Sequence, residues 1–131
     1  MKTEATQRLI ETIRSDGRYP IEAYEFLHDG LEYTTRSLYG RVTPNEPQHV
    51  TGQELCEGLR DLARERWGPL AGLVLRHWNI YRTRDFGEMV YFLIDLNLMG
   101  RQESDRIEDF DDCFDLRTAF DSYRIPLDVY D

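Results

Sequence analysis

The sequence contains one pattern that is typical of a metal site. Glu25 and His28 stand at Glu-x-x-His spacing within a segment of helical periodicity, and di-iron bundles use this spacing to present two ligands on one helix face. Such a site needs two copies of the motif and two further glutamates. The second match, at residues 46–49, contains a proline, so helical spacing does not apply there. We therefore expect no metal site and interpret His28 as a surface histidine that pairs with Glu25 or Glu32.

Other residues with reactive side chains lack the spacing that a catalytic site needs. Cys56 and a histidine could form a nucleophile and its base, but Cys56 lies on a helical apolar stripe, where a small core residue is more usual. His77 stands near a predicted helix end, where it can interact with the helix dipole. The acidic run over residues 105–115 lacks the spacing of a calcium loop, since Cys113 stands where the third ligand belongs. With no Walker A, GxGxxG, GxSxG, HExxH or zinc-finger spacing, we expect no catalytic residues and no cofactor.

Charge is unevenly distributed along the chain, whose net charge is -9. Six arginines stand within residues 60–84 against two acids, whereas ten acids stand within residues 103–131 against three arginines. The two segments could pair within one molecule or bind separate partners. Five of the arginines form the predicted interaction patch: Arg60, Arg64, Arg76, Arg82 and Arg84.

Apolar residues recur at helical spacing in five segments, which predicts a mainly α fold of about five helices. The segments are residues 4–14, 20–39, 53–67, 69–78 and 84–99. A winged-helix arrangement, with a short β hairpin after residue 98, is a further expectation. Residues 1–131 have the length of a single domain, in which the acidic residues 103–131 are expected to be less regular.

Several residues predict where these helices begin, end or pack. Gly17 and Asn79 suit left-handed positions at helix ends. Residues 51–54, Thr-Gly-Gln-Glu, form a capping box. Thr83 is the predicted N-cap of the last helix, and Gly30, in the middle of a helix, indicates close packing or a kink.

The segment at residues 84–99 could be the recognition helix of a helix-turn-helix or a core helix. From Asp85 to Met99 it contains no Arg or Lys, and ten of its side chains are large and apolar. A helix that is apolar nearly all round is typical of burial, and a DNA-reading helix needs polar or basic side chains that reach base edges. We therefore predict a core helix.

The cellular setting is expected to be cytoplasmic. The N-terminal residues contain frequent charges and no apolar core of a signal peptide, and no apolar run approaches the ~20 residues of a membrane span. Cys56 and Cys113 form no CxxC pair, which favours a reducing compartment.

Three stretches carry a resemblance to a known family: RYPIEAYEFLHDGLEYT, HVTGQELCEGLRDLARERWGPLA and TRDFGEMVYFLIDLNLMG. They resemble a small family of uncharacterised bacterial proteins found mainly in planctomycetes and verrucomicrobia. The likeness covers about Arg18 to about Phe120, and the signatures TGQE (51–54) and DFGE (85–88) carry it. In that family phenylalanine commonly stands where Trp67 stands here. The resemblance implies a single domain and supplies no activity and no site residues.

Three hypotheses about function follow. The leading one is a non-enzymatic protein-interaction module, which binds an unknown protein partner or associates with itself. The second is a winged-helix nucleic-acid binder that uses residues 60–84, although an acidic protein repels a phosphate backbone. The third is an enzyme with an unrecognised site, centred on His28 or His77. No membrane partner is expected.

Overall fold

The structure, a computed structural model, describes residues 3–43 and 48–120, and over these residues the chain is mainly helical. The helices are α1 (Glu4–Asp16), α2 (Ile21–Tyr39), α3 (Gly52–Trp67), α4 (Ala71–His77) and α5 (Thr83–Asp95). Short 3-10 helices cover Gly68–Leu70 and Ile107–Phe110. The predicted helical class is confirmed, although α4 has only seven residues. None of the helices in the described residues has both the length and the apolar character of a membrane span.

Three local sequence signals act at helix ends as predicted: the capping box at Thr51 and the left-handed positions at Gly17 and Asn79. The Thr51 hydroxyl accepts a hydrogen bond from the Glu54 amide at 3.1 Å, and the Glu54 carboxylate accepts one from the Thr51 amide at 2.9 Å. Gly17 and Asn79 have φ values of 74° and 67°, the left-handed conformation that ends a helix. These boundaries are confirmed because each depends on residues within a few positions along the chain.

Two glycines allow α2 and α3 to pack closely. A Cβ atom on Gly30 would lie 2.1 Å from Cδ2 of Leu59, and one on Gly58 would lie 1.8 Å from Oγ1 of Thr34. Each glycine therefore leaves the space that a side chain of the facing helix fills. The close-packing interpretation of Gly30 is confirmed.

Replacing Gly58 with alanine is expected to lower the free energy of unfolding by about 1–3 kcal/mol. The new methyl group would overlap the buried Thr34 hydroxyl, and the helix propensity of alanine, about 1 kcal/mol better than that of glycine, offsets only part of this cost. Urea unfolding measures the change. The control is Glu57→Ala on the exposed face of the same helix, which should change stability by less than about 0.5 kcal/mol. If both substitutions changed the free energy of unfolding equally, the contact between Gly58 and Thr34 would not be a close one.

Helix α5 lies inside the molecule, as its sequence predicts. Each of residues 83–94 is buried or half-buried, and Phe86 and Met89 are among the largest fully buried side chains. The helix ends at Asp95 rather than at residue 99, because Asn97 takes a left-handed conformation with a φ of 60°. Its position in the core makes it unavailable for reading a nucleic acid.

The predicted hairpin after residue 98 is wrong, since residues 98–120 contain turns and a 3-10 helix but no strand. In this segment a side chain, and not a second strand, forms hydrogen bonds with backbone groups. The Thr83 hydroxyl donates to the carbonyl oxygen of Phe110 and accepts from the amide of Cys113. Thr83 is therefore the first residue of α5 and not its predicted N-cap, a position that Arg82 occupies.

One apolar core joins the described elements. All five helices contribute buried apolar residues to it, and Phe110, Leu116 and Phe120 of the C-terminal segment complete it. Burial of apolar surface on this scale is the main stabilising contribution to such a fold.

Candidate functional site

The acidic segment after α5 folds against the arginine-rich part of the chain. Arg84 donates to both carboxylate oxygens of Asp111 at 3.0 Å, and Arg64 donates to the carbonyl oxygen of Ala119 at 2.8 Å. Intramolecular pairing is thus observed for these two arginines of the predicted patch. It involves only the described part of the acidic segment, residues 103–120; residues 121–131 lie outside the described residues.

The other three arginines of the patch differ in their surroundings. The Arg60 guanidinium lies 5.9 Å from the centroid of the Phe114 ring and 3.4 Å from a carboxylate oxygen of the neighbouring Asp61. Arg76 and Arg82 have exposed side chains. The predicted patch is therefore divided: Arg60, Arg64 and Arg84 hold the C-terminal segment, whereas Arg76 and Arg82 face solvent.

Large exposed apolar side chains stand close to these two arginines in the sequence. Leu70, Leu73 and Tyr81 expose 59%, 57% and 59% of their surface. Leu70, Leu73 and Arg76 recur every three residues along and just before α4, which places them on one face of the helix. We call Leu70, Leu73, Arg76, Tyr81 and Arg82 the α4 surface.

The apolar part of the α4 surface was not among the residues predicted from the sequence. Ala71 and Leu75 form the inward stripe of α4 and are buried. Residues 69–75, PLAGLVL, are apolar on every face, so a second apolar stripe has to point away from the core. A helix that packs on the core with one face needs only one apolar stripe, so the additional apolar residues in this segment could have predicted an exposed apolar surface.

The two histidines that were considered for catalysis lie at the surface. His28 is exposed, and its Nε2 is 3.8 Å from a carboxylate oxygen of Glu32. This geometry supports the interpretation of a surface pair. His77 is exposed at the end of α4. Within residues 3–43 and 48–120 no group of three or more His, Cys, Asp or Glu side chains is arranged to hold a metal ion.

His49 takes part in an arrangement that the sequence did not predict. Its Nε2 is 3.2 Å from Oδ1 of Asp105, and both side chains are only partly exposed. The Asp105 carboxylate also accepts a hydrogen bond from the amide of Gln102 at 2.7 Å. Glu46 and Pro47 of the second Glu-x-x-His match lie outside the described residues. His49 is close to Asp105, a residue far along the chain.

His49 and Asp105 line a cavity of about 310 Å³, which we call the polar cavity. Tyr91 of α5 also lines it, and the buried hydroxyl of Tyr91 has no hydrogen-bond partner in the described part of the chain. Burial raises the pKa of the Tyr91 hydroxyl. The Arg101 guanidinium lies 5.6 Å from the centroid of the Tyr91 ring. The cavity thus offers a protonated hydroxyl, an imidazole and a carboxylate.

A second cavity, of about 360 Å³, is lined mostly by apolar side chains of α1, α2, α3, α5 and the two residues Leu98 and Met99 after α5, together with His28. We call it the apolar cavity. Tyr24 lines it and is buried, and the Tyr24 hydroxyl has no hydrogen-bond partner within the described residues. Burial raises the pKa of Tyr24 to about 12. The hydroxyl therefore stays protonated and can act as a donor.

The raised tyrosine pKa values predict that the fold loses stability in alkaline solution. Tyr24 has its pKa raised to about 12 by burial, and the pKa of Tyr19 is raised by burial and by its hydrogen bond to Asp85. A group whose pKa is higher in the folded state contributes stability below its unfolded pKa, about 10 for tyrosine, and loses it as pH rises through the folded value. Urea midpoints should fall between pH 10 and 12. In a Tyr24→Phe variant the urea midpoint should fall less over this pH range. If the wild type and the variant had identical pH profiles, Tyr24 would not be a source of the pH dependence.

Cys56 and Cys113 lie next to each other, although 56 residues separate them along the chain. Cys56 is fully buried, as its position on an apolar stripe predicts. Burial raises the pKa of both thiols, and the Cys113 thiol donates a hydrogen bond to the carbonyl oxygen of Asp109 at 3.2 Å. Neither thiol is in the thiolate form that nucleophilic chemistry requires at neutral pH.

Comparisons of the chain with protein-family models, with curated proteins and with solved structures found no match. The resemblance to an uncharacterised bacterial family therefore stays a prediction. The geometry of the α4 surface and of the two cavities has to carry the functional argument.

Proposed function

We propose that this domain is a non-enzymatic protein-interaction module and that it binds its partner through the α4 surface. One observation supports this proposal above the others. Leu70, Leu73 and Tyr81 are each more than half exposed, and two exposed arginines, Arg76 and Arg82, stand close to them in the sequence. Aromatic residues and arginine are enriched in protein interfaces, and clustered exposed apolar side chains commonly mark such a site.

The charges on this surface indicate what the partner offers. Arg76 and Arg82 remain exposed on a protein whose net charge is -9. Within the described part of the chain, the Arg82 guanidinium is 3.9 Å from the Asp85 carboxylate. A partner segment with apolar side chains and nearby carboxylates would cover the leucines and pair with both guanidinium groups. The partner we propose is therefore a protein with an acidic and apolar segment.

The test uses the purified domain as bait in lysate from its native host, followed by titration with each captured protein. Wild-type protein should form a saturable complex that weakens as salt concentration rises, because screening reduces the ion pairs. Leu73→Asp should weaken binding by more than tenfold, and Arg76→Glu should weaken it and reduce its salt dependence. Charge reversal at Arg64 is a poor test, since it would break the hydrogen bond to Ala119.

Leu38→Asp serves as the matched control, because Leu38 is an exposed leucine near the end of α2 and lies outside the α4 surface. It should bind like the wild type. Equal binding by Leu73→Asp and Leu38→Asp, or no capture above background, would contradict the proposal. Sedimentation of the domain alone identifies the other outcome, in which a second copy of the chain covers the surface.

Two observations count against the nucleic-acid alternative. Arg60, Arg64 and Arg84 already contact the C-terminal segment, and residues 98–120 form no hairpin that could serve as a wing. A gel-shift titration with random duplex at low salt tests this alternative. We expect no binding at tens of micromolar, because the acidic surface repels a phosphate backbone.

A further inference from the structure

The two cysteines of the chain lie on opposite sides of the contact between α3 and the C-terminal segment. Cys56 belongs to α3 and is fully buried. Cys113 follows the 3-10 helix at Ile107–Phe110 and is half-buried. Both thiols are free. A disulfide between them requires that the fold hold their sulfur atoms close together.

The packing around Gly52 brings the two cysteines together. A Cβ atom on Gly52 would lie 3.0 Å from Cβ of Asp109, so this turn of α3 touches the C-terminal segment directly. Cys56 stands one turn further along the same face of α3, and the Cys113 thiol donates a hydrogen bond to the carbonyl oxygen of Asp109 at 3.2 Å. Burial, and then the nearby Cys113 thiol, raise the pKa of Cys56, which is the effect expected of two adjacent thiols.

Helix α5 holds the backbone around Cys113 in place. The Thr83 hydroxyl accepts a hydrogen bond from the Cys113 amide at 3.2 Å and donates one to the carbonyl oxygen of Phe110. The Phe110 ring is buried beside Gly52 and Gly87. The folded chain therefore presents Cys113 to α3 continuously, and a link between the two cysteines would join segments that are already in contact.

The two thiols differ in their access to solvent. Cys56 exposes 0% of its surface, whereas Cys113 is partly exposed, so a small reagent meets Cys113 first. Burial raises the pKa of the Cys113 thiol, the nearby Cys56 and Thr83 side chains lower it, and the carboxylates of Glu57 and Asp111 raise it again. Because the thiolate is the reactive form, oxidation that begins at Cys113 is slow at neutral pH and becomes faster as pH rises.

We propose that Cys56 and Cys113 form a modification site at which a hydroperoxide produces a reversible disulfide that fixes the C-terminal segment to α3. The Cys113 thiolate attacks the O–O bond, which breaks. Cys113 becomes a sulfenic acid, and the displaced alkoxide takes up the proton that Cys113 released and leaves as an alcohol (as water when the reagent is hydrogen peroxide). The Cys56 thiol then attacks the Cys113 sulfur and forms the S–S bond, and the displaced hydroxide takes the Cys56 proton and leaves as water. Two thiols are thus oxidised and one hydroperoxide is reduced, independently of the proposed partner binding.

The test treats the reduced full chain with hydrogen peroxide at pH 7 and pH 8 and follows its mass. The wild type should lose about 2 Da, the mass of the two thiol hydrogens, and dithiothreitol should restore them. Digestion with trypsin in the absence of reductant should yield residues 42–60 joined to residues 107–117, the two peptides that contain the cysteines. The crosslink should form about tenfold faster at pH 8 than at pH 7, since the thiolate fraction rises about tenfold per pH unit below the pKa.

Thermal unfolding shows whether the link fits the native contact. A disulfide that closes the long loop between the two cysteines should raise Tm by roughly 5–15 °C, because it restricts the unfolded chain. A Tm that falls on crosslinking would show that the folded chain has to distort to form the bond, and it would overturn the proposal.

Two variants separate the pair from ordinary oxidation of a thiol. In Cys56→Ala, peroxide should convert Cys113 to a sulfenic acid that dimedone traps, and no crosslink should form. In Cys113→Ser, the buried Cys56 thiol should react roughly tenfold more slowly than Cys113 does, because reactivity follows exposure. Sulfinic acid on Cys113 of the wild type in place of the crosslink, links only between separate chains, or a rate that does not change with pH would also overturn the proposal.

Discussion

Replacing Phe110 with alanine is expected to lower the free energy of unfolding by about 3–5 kcal/mol, the usual cost of deleting a buried aromatic ring. The Phe110 side chain is almost fully buried, and two glycines form the notch that holds its ring. A Cβ atom on either Gly52 or Gly87 would lie 2.9 Å from an atom of this ring. The ring therefore joins the beginning of α3 to the first half of α5.

Urea unfolding of Phe110→Ala, Phe110→Leu and Phe114→Ala measures this contribution. Phe110→Leu should have an intermediate effect because it keeps part of the apolar volume. Phe114→Ala is the control, since Phe114 belongs to the same segment but is only half-buried. A loss of less than about 1 kcal/mol for Phe110→Ala would show that the ring does not anchor the segment. A loss of 3 kcal/mol or more is a large fraction of the roughly 5–15 kcal/mol that stabilises a domain.

Replacing Asp85 with alanine is expected to lower the free energy of unfolding by about 3 kcal/mol or more. The buried carboxylate accepts hydrogen bonds from the Tyr19 hydroxyl at 2.9 Å and from the amides of Tyr81 and Arg82 at 2.8 and 3.2 Å. Hydrogen bonds to a charged group contribute roughly 1.5–3 kcal/mol each, and their contributions are not additive. Alanine would leave the Tyr19 hydroxyl buried without an acceptor and the start of α5 without its cap.

A double-mutant cycle with Tyr19→Phe separates the hydroxyl contact from the cap. Tyr19→Phe alone should cost about 1–2 kcal/mol, and it should cost much less in the Asp85→Ala background, because its partner is already absent. Asp95→Ala, at the opposite end of α5, is the control. Asp95 is exposed and lies near the negative end of the helix dipole, so its removal should be neutral or slightly stabilising. Additive effects of the Tyr19 and Asp85 substitutions would contradict the assigned contact.

The helices could be predicted from the sequence because their signals are local. The capping box at Thr51, the left-handed positions at Gly17 and Asn79, and the apolar periodicity each involve residues within a turn or two of one another. The burial of α5 was equally predictable, because a helix with apolar side chains on most faces has to be covered on most faces. These features depend on backbone geometry and solvation alone.

The candidate sites could not be predicted in the same way. The polar cavity depends on contact between His49 and Asp105, and the division of the arginine patch depends on Arg84 meeting Asp111. Each pair joins residues far apart along the chain, and several carboxylates in the acidic segment could have paired equally well with either basic group. The charge pattern predicts that pairing occurs, but packing selects the partners.

The helical class, most helix ends and the interior position of α5 are predictable from the sequence, because helical periodicity and capping act over a few residues. The path of residues 98–120 depends on contacts between distant parts of the chain. The Phe110 ring enters the notch at Gly52 and Gly87, and the Thr83 hydroxyl bonds the backbone beside it. These contacts leave turns in place of a hairpin, and Phe110 itself lines the polar cavity. The physical cause of these contacts is the fit of the Phe110 ring into the space beside Gly52 and Gly87. These residues are far apart along the chain, so no local sequence pattern predicts the fit.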